Sequence, residues 1–431
     1  MNKASHVSSV GRSPSRLNQR RFRAERRFRR LGLLGVVLAL ASVVFLLGTI
    51  FSSGYSAFWR LQFAVDIQFD PALMKITERP TAVELQEVHY LALFRKNLER
   101  AYPEVKKRSE RRKLAQMFSE SAPDVLRELV LADPTLVGET RRVWVLASSS
   151  ADMIRKGNAP RDIEEKRRVL TDQQLAWLDQ WEEEGLARNR FNTRFFTSGP
   201  SRSPELAGLA GAIVGSALTL LVTLIISFPV GVAAAVYLEE YAPKNRISEI
   251  IEVNINNLAA VPSIIFGLLG LAVLLNFFGL PRGTPLVGGI VLSLMTLPTI
   301  IIASRAALKA VPPSIRDGAL AMGASPMQTV FHHVLPLAMP GMLTGTIIGL
   351  AQALGETAPL LMIGMFAFVA DVPSGIVDQA SSLPVQIYLW AESSERGYVE
   401  LTAAGIMVIL IFLVLMNLLA VFLRKKFERR W

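Results

Sequence analysis

Six apolar runs, each close to the length that crosses a bilayer, constrain this chain more than any other feature. They occupy 31–51, 206–238, 255–276, 285–304, 337–354 and 403–423, the fifth with an apolar continuation. A helix of about 20 apolar residues spans a hydrocarbon core of ~30 Å. The second run is too long for one upright helix and too short for two with a turn. Pro229, in SFPVG, is expected to kink a single tilted helix there. The first run follows RFRAERRFRR and exceeds the roughly 7–15 apolar residues of a signal peptide, so an uncleaved anchor is expected.

Charge gives the runs a direction. Of the net charge of +11, residues 1–30 supply ten Lys/Arg against one Glu, and 424–431 supply five against one. Both basic tails abut an apolar run, as the positive-inside bias requires for cytoplasmic ends. Six crossings return the C-terminus to the side of the N-terminus. Lys244, Arg246, Lys309 and Arg316 then fall in cytoplasmic loops, and the mostly acidic loop 371–400 falls outside. A nucleic-acid binder would carry its basic excess on a folded face, so no nucleic-acid partner is expected. With 51% hydrophobic residues and a mean hydropathy of +0.34, the composition fits an integral membrane protein with some soluble mass. No cysteine is present, which excludes disulfides and zinc–thiolate sites, and the four histidines do not fall at zinc spacing.

Residues 52–205 form one long loop between the first two runs, placed outside. Lys106–Lys113 is charge-dense, and Trp144, Trp177 and Trp181 recur through it. Thr171-x-x-Gln174 reads as a capping box, followed by Leu175, Leu178 and Trp181 on one face. The expectation is a small, mostly helical extracytoplasmic domain of unassigned role. The domain plan is thus a basic tail (1–30), an anchor (31–51), the insert (52–205), a membrane core (206–423) and a second basic tail (424–431).

Two segments carry chemistry. Residues 316–336, RDGALAMGASPMQTVFHHVLP, are too polar to cross a bilayer and lie between the fourth and fifth runs. Helical spacing of Ile315, Ala319 and Met322 predicts a short amphipathic helix over 314–325, of the kind that docks into a groove on another protein. Leu335-Pro336 is expected to stop it. His332-His333 is read as packing or interface rather than a metal site. The second segment, LGETAPLL at 354–361, puts Glu356 amid apolar sequence. A carboxylate there is expensive in a membrane and is a functional candidate. Gly355 weakens the helix, Pro359 breaks or restarts it, and Thr357 is placed to cap the restarted half. Gln352 falls near the midplane. A salt bridge or hydrogen bond of Glu356 across a subunit interface is favoured over direct contact with an anion. No GxxxxGK[ST] phosphate cradle, nucleophile elbow or HExxH is present, so this chain is not expected to be an enzyme.

These residues together resemble a known family. Asp317-Gly318-Ala319, Gly323 and Leu335-Pro336 match the frame of the coupling loop of ABC importer permeases: EAA, three residues, Gly, nine residues, I-x-L-P. GETAPLL is similar to the phosphate-specific permeases of the A type (PstA). So are Tyr237–Ala242 (YLEEYA), 261–267 (VPSIIFG), 297–301 (LPTII), 383–388 (LPVQIY) and the terminal Arg429-Arg430-Trp431. The likeness is close over 206–431 and loose over 1–51; the long loop 52–205 lies outside it.

The resemblance implies an all-α integral membrane protein with six transmembrane helices of the type I ABC importer (MetI-like) fold, plus the insert. It implies a bacterial inner membrane location with both termini cytoplasmic. It implies a heterodimer with a PstC-type permease, two ABC ATPase subunits holding ATP and Mg, a periplasmic phosphate-binding protein, and import of inorganic phosphate. This chain itself would hold no cofactor or metal. Asp317, Gly318, Ala319, Gly323, Leu335 and Pro336 become the ATPase-coupling residues. Gln352, Glu356, Thr357 and Arg305 become candidates for the pathway or the subunit interface, Arg305 more simply as a positive-inside anchor. Three departures stand out: Gly318 for the middle Ala, His333 at an aliphatic position, and Gln352 where many members carry Arg. Import of sulfate or molybdate, a scaffold for phosphate-starvation signalling, and an ion-coupled secondary transporter are the other readings.

Overall fold

The computed structural model describes residues 16–76, 81–366, 369 and 371–427. Residues 1–15 and the terminal Arg429-Arg430-Trp431 lie outside them. The chain divides into two compact units, Met1–Ser52 and Ser53–Trp431. In the first, the expected anchor lies within one helix, Arg16–Gly54. Its large apolar side chains from Leu31 to Phe51 are exposed, Ile50 excepted, as a lipid-facing helix requires.

The insert is built on a three-stranded antiparallel sheet in the order β2-β1-β3: β1 Trp59–Gln68, β2 Thr140–Leu146, β3 Ala187–Phe191. Helices hold about half of its residues, and this sheet is absent from the expectation. The signal was present: Leu61, Phe63, Val65 and Ile67 alternate along β1, and all four are buried. Phe63 pairs with Val145 on one side and Ala187 on the other. The helices Tyr90–Ala101, Ala122–Ala132 and Asp172–Glu183 pack on the sheet. Phe63, Phe94, Phe118 and Trp181 form the aromatic centre, with Phe63 and Trp181 centroids 4.6 Å apart. The last of these helices starts behind Thr171, whose N–H donates to Gln174 Oε1 at 3.0 Å. Leu175, Leu178 and Trp181 are buried as a face.

In the membrane core, the Ala210–Val236 helix passes Pro229 uninterrupted and continues as a π-helix, Tyr237–Tyr241. The fourth span is Pro285–Lys309, the fifth Pro326–Gly355 and the last Gly397–Phe427. Five helices among the described residues are long and apolar enough to cross a membrane, or six if one bent pair counts as a span. That pair corrects the expected third span. Arg246–Ala259 and Ser263–Phe277 meet at 101°. Pro262 has no N–H to donate and disfavours helical backbone at Val261. No residue of Arg246–Ala259 is fully buried; this piece touches the core through Ile255, while the 263–277 piece buries Phe266, Gly267 and Gly270.

Loop 371–400 is likewise more than a connector. It contains the helix Leu383–Ala391, with Leu383, Val385 and Trp390 buried, and the last span starts at Gly397 rather than 403. The second and fourth spans touch through glycine. A Cβ on Gly289 would lie 2.4 Å from Val222 Cβ. Gly289→Ala is therefore expected to destabilise the core by about 1–3 kcal/mol through overpacking. A thermal midpoint of the detergent-solubilised protein lowered by several degrees would show it, and an unchanged midpoint would contradict the packing.

Candidate functional site

The predicted docking helix forms, but it is shorter than expected: Pro313–Ala321. It ends on Gly323, which has φ +90°. The Gly323 N–H donates to the Leu320 carbonyl at 2.9 Å and the Ala324 N–H to the Ala319 carbonyl at 3.1 Å. This is the double bond pattern of a left-handed glycine terminus. Met322 therefore leaves the helix and is 90% exposed, while Ile315 is partly buried against the Val311, Val330 and Val334 cluster. The expected single face of Ile315, Ala319 and Met322 does not exist. The exposed apolar groups are Leu320, Met322, Met327 and Phe331. Asp317 and Gly318 are exposed, and Ala319 is half-buried.

Leu335-Pro336 is not a stop. After a Ser325–Gln328 capping box, the chain runs through a π-helix, Thr329–Val334, into Leu335–Gly355. Pro336 cannot donate to the His332 carbonyl. The π register has already displaced the hydrogen-bond ladder there, so the missing donor interrupts nothing.

What holds this helix is Arg316, which the sequence alone places only as a loop charge. Its Nη2 donates to Glu240 Oε1 at 2.6 Å and to the Leu308 carbonyl at 3.0 Å, and its Nη1 to the Val311 carbonyl at 2.8 Å. It thus satisfies carbonyls at the end of the fourth span while pairing with the end of the second. Beside it, Arg305 pairs with Glu239 at 3.4 Å and Glu252 at 3.0 Å, and Lys309 lies 3.7 Å from Glu239. Three carboxylates and three cations form one belt around the base of the docking helix. The YLEEYA segment could have disclosed it, since two adjacent acids at a span end call for cationic partners.

Arg305 belongs to this belt and not to the company of Gln352 and Glu356. Gly341 lies against Ala307, at the level of Arg305. Glu356 is 15 residues further along, about 22 Å at ~1.5 Å per residue. At that other end the fifth span stops at Gly355, and helix resumes over Ala358–Met362. Thr357 stands at the N-cap, but its side chain makes no capping hydrogen bond, a correction to the expected cap. Pro359 is buried against the third-span fragment: a Cβ on Gly267 would lie 2.6 Å from Pro359 Cα. The VPSIIFG and GETAPLL segments, far apart in sequence, thus meet. Gln352 is exposed, and Glu356 and Thr357 are half-buried. Among the described residues, no hydrogen bond or ion pair reaches the Gln352 amide or the Glu356 carboxylate.

Residues 227–431 match the model for the binding-protein-dependent transport system inner membrane component, and 15–165 match a domain of unknown function, DUF3333. The chain is 31% identical to the probable ABC transporter permease protein YqgI of Bacillus subtilis, over 40% of this chain and 58% of that protein. It is 32% identical to the phosphate transport system permease protein PstA of Yersinia pestis, over 51% of this chain and 74% of that one. Among solved structures, an inward-facing MetNI methionine ABC transporter aligns with TM-score 0.41 and 21% identity, over 50% of this chain and 95% of that one.

Proposed function

The chain belongs to the binding-protein-dependent transport system inner-membrane component family, among the permeases of the PstA type, and from this premise we propose that it is one permease subunit of an ATP-driven importer of inorganic phosphate. ATP hydrolysis falls to partner ATPases, and this chain is the non-catalytic membrane part. The second permease is of the PstC type, and a phosphate-binding protein delivers substrate on the side of the insert. The observation that carries the coupling role is the Arg316 anchor. It ties an exposed docking helix to the ends of the second and fourth spans, so movement of a docked ATPase reaches both. The likeness to PstA permeases supports phosphate as the substrate. Gln352 and Glu356, without partners among the described residues, face the second permease, which supplies the cation that Gln352 does not.

The test is radiolabelled phosphate uptake in cells lacking this chain and then complemented with it, with sulfate and molybdate as competitors. ATP-dependent uptake that resists both competitors is expected. Competition by either moves the substrate assignment, and unchanged uptake with an altered phosphate-starvation response makes the chain a signalling scaffold. Glu356→Gln is expected to lower uptake at least tenfold, since a pair across the interface loses one charge and leaves the other buried. Wild-type uptake in that variant would remove Glu356 from the interface.

A further inference from the structure

A buried charge quartet, separate from the belt around the docking helix, fastens the insert to the last span. Arg60 of β1 donates from Nη1 to Asp152 Oδ2 at 2.8 Å and to Glu400 Oε1 at 2.7 Å, and from Nη2 to the Pro204 carbonyl at 3.0 Å. Lys156 Nζ donates to Asp152 Oδ2 at 2.6 Å and to Glu400 Oε1 at 3.1 Å. Asn158 Nδ2 and Ser56 Oγ complete Glu400 Oε2 at 2.9 and 2.8 Å. The four charged side chains are 3% (Arg60), 1% (Asp152), 9% (Lys156) and 4% (Glu400) exposed, and their charges cancel. Three belong to the insert; Glu400 sits in the first turn of the last span. Desolvation offsets most of the attraction in such a cluster, so it gains little stability over an apolar contact. Its effect is register: only one seating of the insert satisfies all four charges.

The surrounding contacts point the same way. A Cβ on Gly397 would lie 2.1 Å from Ser149 Oγ and 2.8 Å from Pro204 Cβ. Tyr398 Oη donates to the Ser201 carbonyl at 2.6 Å, and Leu401 and Ala404 are buried with Ala57, Phe195 and Leu209. Further along the same helix, Leu413 and Met416 pack with Leu350 and Leu354 of the fifth span, next to Gln352 and Glu356.

We propose that the quartet makes the insert and the last span one body throughout the transport cycle. Arg60 and Glu400 are then positioning residues, which transmit the seating of the insert to the fifth span where it breaks. This rests on the reading of the chain as a transport subunit.

The absence of native cysteine makes a clean test in the assembled transporter. A Cβ on Gly397 lies 2.1 Å from Ser149 Oγ, so in Ser149→Cys with Gly397→Cys the two Cβ atoms fall at the short end of the disulfide spacing of about 3.5–4.5 Å, and Pro204 shifts to admit them. Oxidised and reduced forms are expected to take up phosphate at equal rates, and the bond to form equally fast with and without ATP turnover. Uptake lost on oxidation, or crosslinking slowed by turnover, would show that the seam opens and overturn the proposal. Adding Glu400→Gln to this pair is expected to lower uptake about tenfold or more when reduced. Oxidation should restore it, because the covalent tether replaces the ionic one. Unimpaired uptake in the reduced triple variant, or no restoration by oxidation, would also overturn it. If the parent carries no phosphate at all, the function fails instead, and the crosslinking rates still test the single body.

Discussion

Gly323→Glu is expected to abolish phosphate uptake while leaving the protein in the membrane. The sequence suggests bulk and charge on a docking face as the reason, and the structure adds backbone strain to it. A Cβ at position 323 would meet nothing within 4 Å, so space is not the constraint. The constraint is φ +90°, where an L-residue costs roughly 1–2 kcal/mol. That cost does not unfold a polytopic core. It falls on the terminus that turns the chain from the docking helix toward the fifth span, and it is relieved by re-aiming the helix. A graded series separates strain from charge. Gly323→Asn is expected to keep most uptake, since Asn tolerates left-handed backbone. Gly323→Ala should lose part of it and Gly323→Glu all of it. Uptake at the wild-type rate in the Glu variant, with normal membrane levels, would remove this turn from the coupling path.

The second large effect is expected from Arg316→Ala. Four hydrogen bonds from one guanidinium, two of them to Glu240, are lost at once, each charge-assisted bond being worth about 1.5–3 kcal/mol before solvent screening at this partly exposed site. Glu240 loses its partner, and the Leu308 and Val311 carbonyls lose their donor. Uptake should fall at least tenfold while the complex still hydrolyses ATP, because an ATPase can dock on a helix that no longer moves the spans. Arg316→Lys should be intermediate, since a point charge cannot serve three acceptors in fork geometry. The exchange Arg316→Glu with Glu240→Arg restores the pair but not the carbonyl bonds, and should recover only part of the loss. Uptake and ATP hydrolysis measured together in proteoliposomes decide this. Normal uptake in Arg316→Ala would make the belt incidental.

Much of the membrane core was legible in the primary structure, because bilayer crossing is a demand on local composition. The runs at 31–51, 285–304, 337–354 and 403–423 each lie in one helix, and the second run is helical from Ala210 on, ending as a π-helix. The interruption after Leu354 was legible for the same local reason: Gly355 and Pro359 weaken helix whatever surrounds them. The third span was misread because hydropathy has no term for direction. Residues 255–276 are apolar on both sides of Pro262, and only the backbone shows the 101° turn.

The insert was misread for a different reason. Its helices announce themselves by caps and spacing, but β1 is the centre of a sheet whose partners lie about 80 and 125 residues away, and pairing over such distances leaves only a faint period-two trace. Among the candidate residues, composition and motif pointed to a short exposed helix and a carboxylate at a broken span, and both are present. Tertiary structure decided which side chains hold it. Arg305 and Arg316 are both basic residues near the end of the fourth span. That one joins Glu239 and Glu252 while the other fastens the docking helix to Glu240 depends on where three helices bring their ends together. The union of Arg60 with Glu400, 340 residues apart, was likewise beyond the reach of sequence, since a buried ion pair depends on a juxtaposition that no local pattern encodes.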